Sequence, residues 1–559
     1  MNRSPAALLT DLTTHEPMKN VITFSCPKEY RQACFEKFAN QSDDFLGVRT
    51  YHHATLILDR YARWNNDLEN YFARFRKNII GINKSIATPY HSATKLVYAD
   101  WTASGRLYAK IESKLRDEVF PLVANTHTDT NLTGMTMTYA YHKAQKIIKQ
   151  HVGASANDVL IACGSGMTGV VNKFQRILGL RIHEKYKDKI EIPESDRPVV
   201  FVTHMEHHSN QTSWLETIAD VVVVAPDKDG LVNPENFSKL LADYPNRKTK
   251  IAAITSCSNV TGIVTPFMEI AKIMHSHGGL CFVDFACSAP YIDINMHEND
   301  ADGTYLDAIY FSPHKFLGGP GTAGVLIFNK NLYHNTIPDH PGGGTVDWTN
   351  PWGEHKFVDD IEAREDGGTP PFLQTIRAAM CCRLKDKMGT DRIKAREDEM
   401  LEIIWHTFDS IPNLHILANE HRNRLGVISF YIDGLHYNLG VKMLNDRYGI
   451  QTRGGCSCAG SYGHYLLNVS PEYSKEITSM ISEGDCSTKP GWIRLSIHPT
   501  HTNEEIFYIC GAIKDLAGNF QTWKEDYDCD FRIGSIKHKN SASVVEMESF
   551  INGCLMEGF

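Results

Sequence analysis

The sequence predicts an α/β protein: a large domain with a mostly parallel central sheet sandwiched by helices, plus a smaller α+β C-terminal domain. Three observations carry this expectation. Short runs of β-branched and apolar residues recur through the middle of the chain: DVLIAC, PVVFVTHM, DVVVVAP, KIAAITSC, GLCFVDFA, DAIYFS and AGVLIF. They are too uniformly apolar to face water on one side. Most are separated by helix-length amphipathic segments such as MEIAKIMHSHGG, an alternation that suits a parallel sheet covered by helices. After about Thr375 the texture shifts to long charged helical stretches. Then come LGVISFYID, GIQTRGG and GWIRLSIHP, strands of a second unit.

The chain has 559 residues, 42% hydrophobic and 22% charged, an ordinary globular composition with room for more than one domain. The expected division is a helical N-terminal extension at 1–90, the large domain at 91–380, the small domain at 381–520 and a polar, partly ordered tail at 521–559. Within the extension, LILDRYARWNNDLENYFARFRKNIIG carries apolar residues at helical spacing. No repeat or low-complexity tract interrupts the chain. No apolar run approaches the roughly 18 residues of a membrane helix. The opening MNRSPAALLTDLTTHEP is too polar for a secretion signal. A cytoplasmic protein without membrane contact is therefore expected. A net charge of −9 and the lack of a basic block argue against nucleic-acid binding. The 14 cysteines follow no regular framework and read as reduced thiols.

In open parallel sheets, ligands sit beyond the carboxyl ends of the strands, so strand endings nominate site residues. IACGSGMTGVVNKF closes a strand with Gly164, Gly166 and Gly169 and opens a helix. Bare backbone and helix N-terminal N–H groups there suit a phosphate, although glycine-rich turns of this kind are also common structural connections. VFVTHMEHHSNQTSW ends with Glu206, His207 and His208; His207 is the candidate plate against a planar ligand, and His208 reads as a turn residue. ITSCSNVTG presents Ser258 and Asn259. LCFVDFACSAP places Asp284 after a buried strand, where a carboxylate is costly without a cation or a capping role. Lys315 follows 31 residues later in IYFSPHKFLGGPGTAG, about one strand–helix–strand step.

One cofactor asks for this set together. Pyridoxal 5′-phosphate needs a lysine for a Schiff base, an acid to keep its ring nitrogen protonated, an anion cradle and an aromatic face. A free lysine has a pKa of about 10.4, so a reactive amine must be desolvated or placed near positive charge. The apolar, glycine-tight surroundings of Lys315 meet that demand.

At these motifs the sequence resembles the class V aminotransferase family of fold-type I pyridoxal-phosphate enzymes, nearest its cysteine desulfurase and selenocysteine lyase branch. The likeness runs from LVYADWTASGR to IRLSIHPTHTNEEI. It implies Lys315 as the Schiff-base residue, with Ser312 and His314 at the phosphate and Asp284 on the ring nitrogen. His207 would stack on the ring, Asn259 would contact the ring oxygen or the substrate, and Gly166, Met167 and Thr168 would line the phosphate. EDGGTP resembles the loop whose threonine, here Thr369, reaches the phosphate of the neighbouring subunit, which implies a homodimer. RGG and WIRLS resemble the strands whose arginines, here Arg453 and Arg494, grip the substrate carboxylate. NTHTD, at Asn125 and His127, falls where the substrate-side wall begins. Two positions depart from the pattern: Cys287 stands where desulfurases often carry a glutamine, and Met167 replaces a hydroxyl residue.

In desulfurases a loop cysteine attacks the substrate's sulfur and keeps it as a persulfide. The resemblance puts Cys458 of RGGCSCAGSYGHYL at that place. Cys456 and Cys458 also fit ordinary core thiols, an incomplete metal site with His464, or a relic in an enzyme of another reaction. No metal is expected. The function expected is desulfuration of L-cysteine to L-alanine, with a protein as a further sulfur acceptor. The alternatives are a C–S lyase, an aminotransferase or an epimerase of the same family, or a catalytically silent scaffold.

Overall fold

All seven apolar runs of the middle region become neighbours in one sheet. They are β1 (Asp158–Cys163), β2 (Val199–Thr203), β3 (Asp220–Val224), β4 (Lys250–Thr255), β5 (Leu280–Asp284), β6 (Ala308–Phe311) and β7 (Gly324–Asn329), in spatial order β1-β7-β6-β5-β4-β2-β3. The computed structural model describes residues 67–128, 130–164, 166–187, 189–540 and 543–556, with side chains in the last segment at 549–555. The described residues all fall within one compact unit. The helical reading of residues 1–90 falls mostly outside the described residues; of that stretch, helix α1 (Asp67–Arg76) is seen.

Strands β2 to β6 pair parallel with one another. β7 runs antiparallel to both β6 and β1. The cause lies in the connection: residues 312–323 hold one turn of 3-10 helix, Pro313–Lys315, and no crossover helix. A chain without a crossover can only turn back beside the strand it has left. That reversal is what needs the glycines. A Cβ on Gly319 would lie 1.9 Å from the Pro313 carbonyl oxygen, and one on Gly324 would lie 2.1 Å from that of Gly166. Strand burial is nearly continuous in β1, β2 and β5 to β7, as the uniform apolar runs require.

Of the four helices around the site, three follow strands of the sheet and the first precedes β1. They are α2 (Leu132–His151), α3 (Gly166–Ile177) directly after β1, α4 (His208–Leu215) after β2, and α5 (Phe267–Ser276) before β5. Helix α6 (Phe372–Met388) runs through residue 380, the expected border between large and small domains. The break comes at Gly389, with φ +76, before α7 (Thr390–Phe408).

A second sheet has the order β8 (Leu414–Ile416), β9 (Val427–Ile432), β11 (Trp492–Ser496), β10 (Arg453–Gly455), all antiparallel. Helix α8 (Tyr437–Tyr448) packs on it, and α9 (Gly460–Leu466) follows β10. The early segment Val97–Tyr98 joins this end of the molecule: it pairs parallel with Ile450–Gln451, and Asp100 bridges to Ser496. Helix α10 (Asn503–Trp523) starts with a capping box formed by Thr502 and Glu505.

The stretch expected to be a partly ordered tail contains a hairpin, Tyr527–Asp530 with Ser535–His538. It is tied down by aromatic and ionic contacts that polar composition does not announce. Asp526 accepts from Tyr90 Oη at 2.7 Å and Arg447 Nη2 at 2.8 Å, and His538 meets the rings of Tyr90 and Tyr527 edge-on at 4.9 and 5.0 Å. Among the described residues no helix is long and apolar enough to cross a membrane.

The Gly324–Gly166 approach yields a stability prediction. Gly324→Ala is expected to cost about 1–3 kcal/mol through overpacking, seen as a lower thermal midpoint; an unchanged midpoint would contradict this packing.

Candidate active site

The parallel pairing sets Asp284, the last residue of β5, in register with Thr255 of β4 and Tyr310 of β6. Lys315 ends the 3-10 turn that follows β6, so the chain returns its side chain to the same strand ends. Asp284 is buried; its Oδ1 accepts from Ala286 N at 2.8 Å, and burial pushes its carboxyl up to about 6. The facing Lys315 charge pulls that value back down. Burial lowers the Lys315 amine, while the fields of Cys287 and Asp284 oppose this and those of Arg494 and Arg453 reinforce it. The two groups are thus tuned toward each other from opposite ends of the pH scale.

The turn between β1 and α3 lies against the same 3-10 turn. Met167 N donates to Ser312 Oγ at 2.7 Å, and Thr168 Oγ1 and Ser209 Oγ are 2.6 Å apart. Gly166 has φ +61, and a Cβ there would stand 3.0 Å from Ser312 Oγ and 3.6 Å from His314 Cδ2. Burial, with Lys315 next to it, pushes His314 down to about 4, so its ring is neutral. Gly166, Met167, Thr168, Ser312 and His314 therefore share one small polar cradle.

His207 caps α4, its Nδ1 accepting from Ser209 N at 3.1 Å. Burial and the Lys315 charge push it down to about 3, which leaves a neutral ring with its proton on Nε2. Beneath it Glu206 is fully buried. It accepts from Thr203 Oγ1 at 2.6 Å, Thr255 N at 2.8 Å and Asn210 Nδ2 at 2.7 Å, and burial raises it to about 7. Asn210 Oδ1 in turn accepts from Tyr310 Oη at 2.6 Å and Trp214 Nε1 at 3.2 Å. This network, which ties β2, β4 and β6 to α4, holds His207 in place. Sequence reading passed over Asn210 because two of its partners, Tyr310 Oη and the Ala253 carbonyl, lie on strands distant in the chain.

Arg494 and Arg453 face each other across β11 and β10. One carboxylate spans both: Asp100 Oδ1 accepts from Arg494 Nη2 at 2.8 Å and Oδ2 from Arg453 Nε at 3.0 Å. Arg494 is buried, donates a further bond to the Asn259 carbonyl at 3.1 Å, and leaves its Nε without a partner among the described residues. The Arg453 side chain is 49% exposed. Asp100 was not foreseen, because nothing local to YADWTASGR signals two arginines more than 350 residues away.

Other nominated residues have different surroundings. Asn259 Nδ2 donates to the Ser457 carbonyl at 2.7 Å. The buried thiols of Cys287 and Cys257 both reach the Ser258 carbonyl, at 3.7 and 3.6 Å. Thr369 lines a cavity of about 450 Å³ with Cys163, Gly164, Lys173 and Asp366, beside the buried Lys173–Glu365 pair at 2.7 Å. Asn125 and His127 are exposed, His127 with φ +67. Cys458 is exposed, and both it and Ser457 adopt positive φ, +57 and +52. Both ring nitrogens of His464 are engaged, by the Gly460 carbonyl at 2.7 Å and Ser474 Oγ at 2.8 Å, so the ring is not presented as a ligand beside Cys456 and Cys458.

This donor set fits pyridoxal 5′-phosphate. A lysine amine lowered by burial faces a buried carboxylate. A glycine that leaves no room for a Cβ stands between serine and histidine donors, and a neutral aromatic ring closes the side. The fold and site together define a fold-type I pyridoxal-phosphate enzyme. The chain matches the Aminotransferase class-V family model over residues 97–509 and belongs to that family. It is 28% identical over 372 residues to a probable cysteine desulfurase of Halalkalibacterium halodurans, covering 66% of this chain and 85% of that one. Against a probable cysteine desulfurase of Staphylococcus aureus it is 28% identical over 380 residues, covering 67% and 86%. Among solved structures it is similar to the apo cysteine desulfurase of Thermococcus onnurineus, with a TM-score of 0.63, 21% identity, and coverage of 80% of this chain and 98% of that one. That likeness shows the fold.

The raised Asp284 carboxyl makes a signed prediction for cofactor-free protein. A proton binds it more tightly folded than unfolded, so its stabilising contribution is present below about pH 4 and is lost as pH rises through about 6. Asp284→Asn is therefore expected to gain more stability over wild type at pH 8 than at pH 5, by about 1–1.5 kcal/mol, read as a larger rise in thermal midpoint at pH 8. A larger gain at pH 5 would contradict the burial account.

Proposed function

We propose that this protein is a pyridoxal-phosphate-dependent cysteine desulfurase that releases L-alanine from L-cysteine and takes the sulfur on Cys458 as a persulfide. The observation that carries the reading is an exposed thiol, Cys458, on a loop whose backbone is bonded to Asn259, the residue whose carbonyl also binds Arg494 of the same site. The two relatives, matched over 85% and 86% of their own length, are each named a probable cysteine desulfurase, which supports the reading.

The cradle of Ser312, His314, Thr168 and the backbone at Gly166 and Met167 would hold the phosphate. Asp284 would bind the ring nitrogen, His207 would lie on the ring, and Lys315 would make the covalent attachment. When bound, the cofactor supplies an electrophilic carbon for amines and a ring that takes up electrons from the substrate's α-carbon. The chain's own groups do the rest. Arg494, buried and pre-oriented by Asp100, binds the substrate carboxylate with Arg453 at the rim. Asp284 holds a proton at the ring nitrogen. Lys315 Nζ, its basicity reduced by burial, takes the α-proton and returns it. Cys458 as thiolate forms a bond to the substrate's sulfur while the carbon–sulfur bond breaks, its electron pair stays with carbon, and carbon takes up a proton. The products are alanine and a Cys458 persulfide, from which a thiol acceptor protein would remove the sulfur. A second copy of the chain would complete the phosphate cradle through Thr369, so the working form is a homodimer in the cytoplasm.

Two outcomes test this. Purified protein given L-cysteine and a reductant should form alanine and sulfide in equal amounts. Cys458→Ala should keep the visible absorbance of the cofactor and lose sulfide release; ammonia and pyruvate as products would establish a lyase instead. Arg494→Lys should raise KM for cysteine by about 10- to 100-fold, and Arg453→Lys by less, since its side chain is half exposed. Equal effects would show that Arg494 is not the main carboxylate anchor.

A further inference from the structure

The N-cap and first turn of α4 reach three parts of the site in consecutive residues. His207 presents its neutral ring toward Lys315, and Ser209 Oγ meets Thr168 of the cradle at 2.6 Å. Between them, His208 turns the other way. Its backbone N–H donates to the Cys458 carbonyl at 2.7 Å, and its Nε2 accepts the Gly460 N–H at 2.9 Å. One turn on, Gln211 Oε1 accepts from Ser461 Oγ at 2.8 Å, so α4 grips the start of α9 at a second point.

The Cys458 loop requires such a grip. Ser457 and Cys458 both occupy the left-handed region that side chains disfavour, and a loop in that state persists only when its surroundings over-determine it. Asn259 and Trp492 hold Ser457, at its carbonyl (2.7 Å) and its hydroxyl (3.2 Å). His208 alone among the described residues brackets Cys458 itself, bonding both its carbonyl and the amide two residues on. The contact is tight: a Cβ on Gly460 would stand 3.1 Å from His208 Nε2.

We propose that His208 is a positioning residue for sulfur transfer, fixing Cys458 relative to the cofactor face that the adjacent His207 presents. The inference rests on the reading of Cys458 as the sulfur acceptor. His208 touches neither substrate nor cofactor; it acts through the loop. Its ring must accept at Nε2, so an amide oxygen can replace it and a methyl cannot.

The test uses holoenzyme variants His208→Ala, His208→Gln and Gly460→Ala. With His208→Ala, kcat for alanine formation from cysteine should fall by about 10- to 100-fold. KM and the cofactor absorbance, set by Arg494 and Lys315, should stay within about twofold. His208→Gln should recover most of the loss. Gly460→Ala, which leaves the histidine in place but pushes the loop off it, should reproduce the kcat defect even where His208→Ala fails to fold. Alkylation of Cys458 by iodoacetamide without substrate, read by peptide mapping to separate it from exposed Cys554, should speed up in the Ala variants and not in the Gln variant. Wild-type kcat and alkylation in His208→Ala, or a Gln variant as impaired as Ala, would overturn the proposal. If Cys458→Ala still desulfurates, the functional reading fails by itself, and the alkylation rates still decide whether His208 holds the loop.

Discussion

A carboxylate and an ammonium buried together at the ends of two neighbouring parallel strands are the constraint on which the rest of this structure depends. Neither Asp284 nor Lys315 is tolerable alone in that place: burial drives the acid up to about 6 and the amine down, and each opposes the other's shift. To bring the lysine back over the strand ends, the chain must turn within a few residues of β6. That turn removes the crossover helix and makes β7 antiparallel. Glycine at 319 and 324 follows, because the returning chain passes within contact distance of carbonyls at Pro313 and Gly166. The polar cradle of Gly166, Ser312 and His314 is the space this close packing leaves.

A second charge arrangement joins the two sheets' chemistry. Asp100 comes from the segment that enters the large domain, yet it is held by arginines on the small sheet, and its neighbours Val97–Tyr98 extend that end of the molecule. One carboxylate shared by two guanidinium groups leaves one positive charge uncompensated, the balance that the carboxylate of the proposed amino-acid substrate would restore. Asp100 thus orients both arginines in advance, which on the proposed reading would reduce the ordering cost of binding.

Much of the fold was legible because buried strands of a sheet write themselves as unbroken apolar runs, and six of the seven are buried; β3, at the sheet edge, buries only Val224 despite its equally apolar run. Direction was not legible: AGVLIF reads the same whether its strand runs parallel or antiparallel, and only the missing crossover tells. The tail misled for a related reason, since Tyr527 and His538 look like isolated aromatics in a polar stretch until Tyr90 is brought to them. Within the site, Lys315 and Asp284 stood out as charges set at the ends of apolar runs. His208, Asp100 and Asn210 did not, because each is defined by partners far along the chain: Cys458 and Gly460 for the first, two arginines for the second, Tyr310 and the Ala253 carbonyl for the third.

The central claim is that burial makes Lys315 the reactive amine and that, on the proposed reading, Asp284 retains the cofactor at its ring nitrogen; the most direct measurement is where the cofactor is attached. Borohydride reduction of the purified protein followed by peptide mass mapping should place the mass of the reduced cofactor on the peptide containing Lys315. Asp284→Ala should greatly reduce that labelling. Label on another lysine, or full labelling of Lys315 without Asp284, would contradict the account.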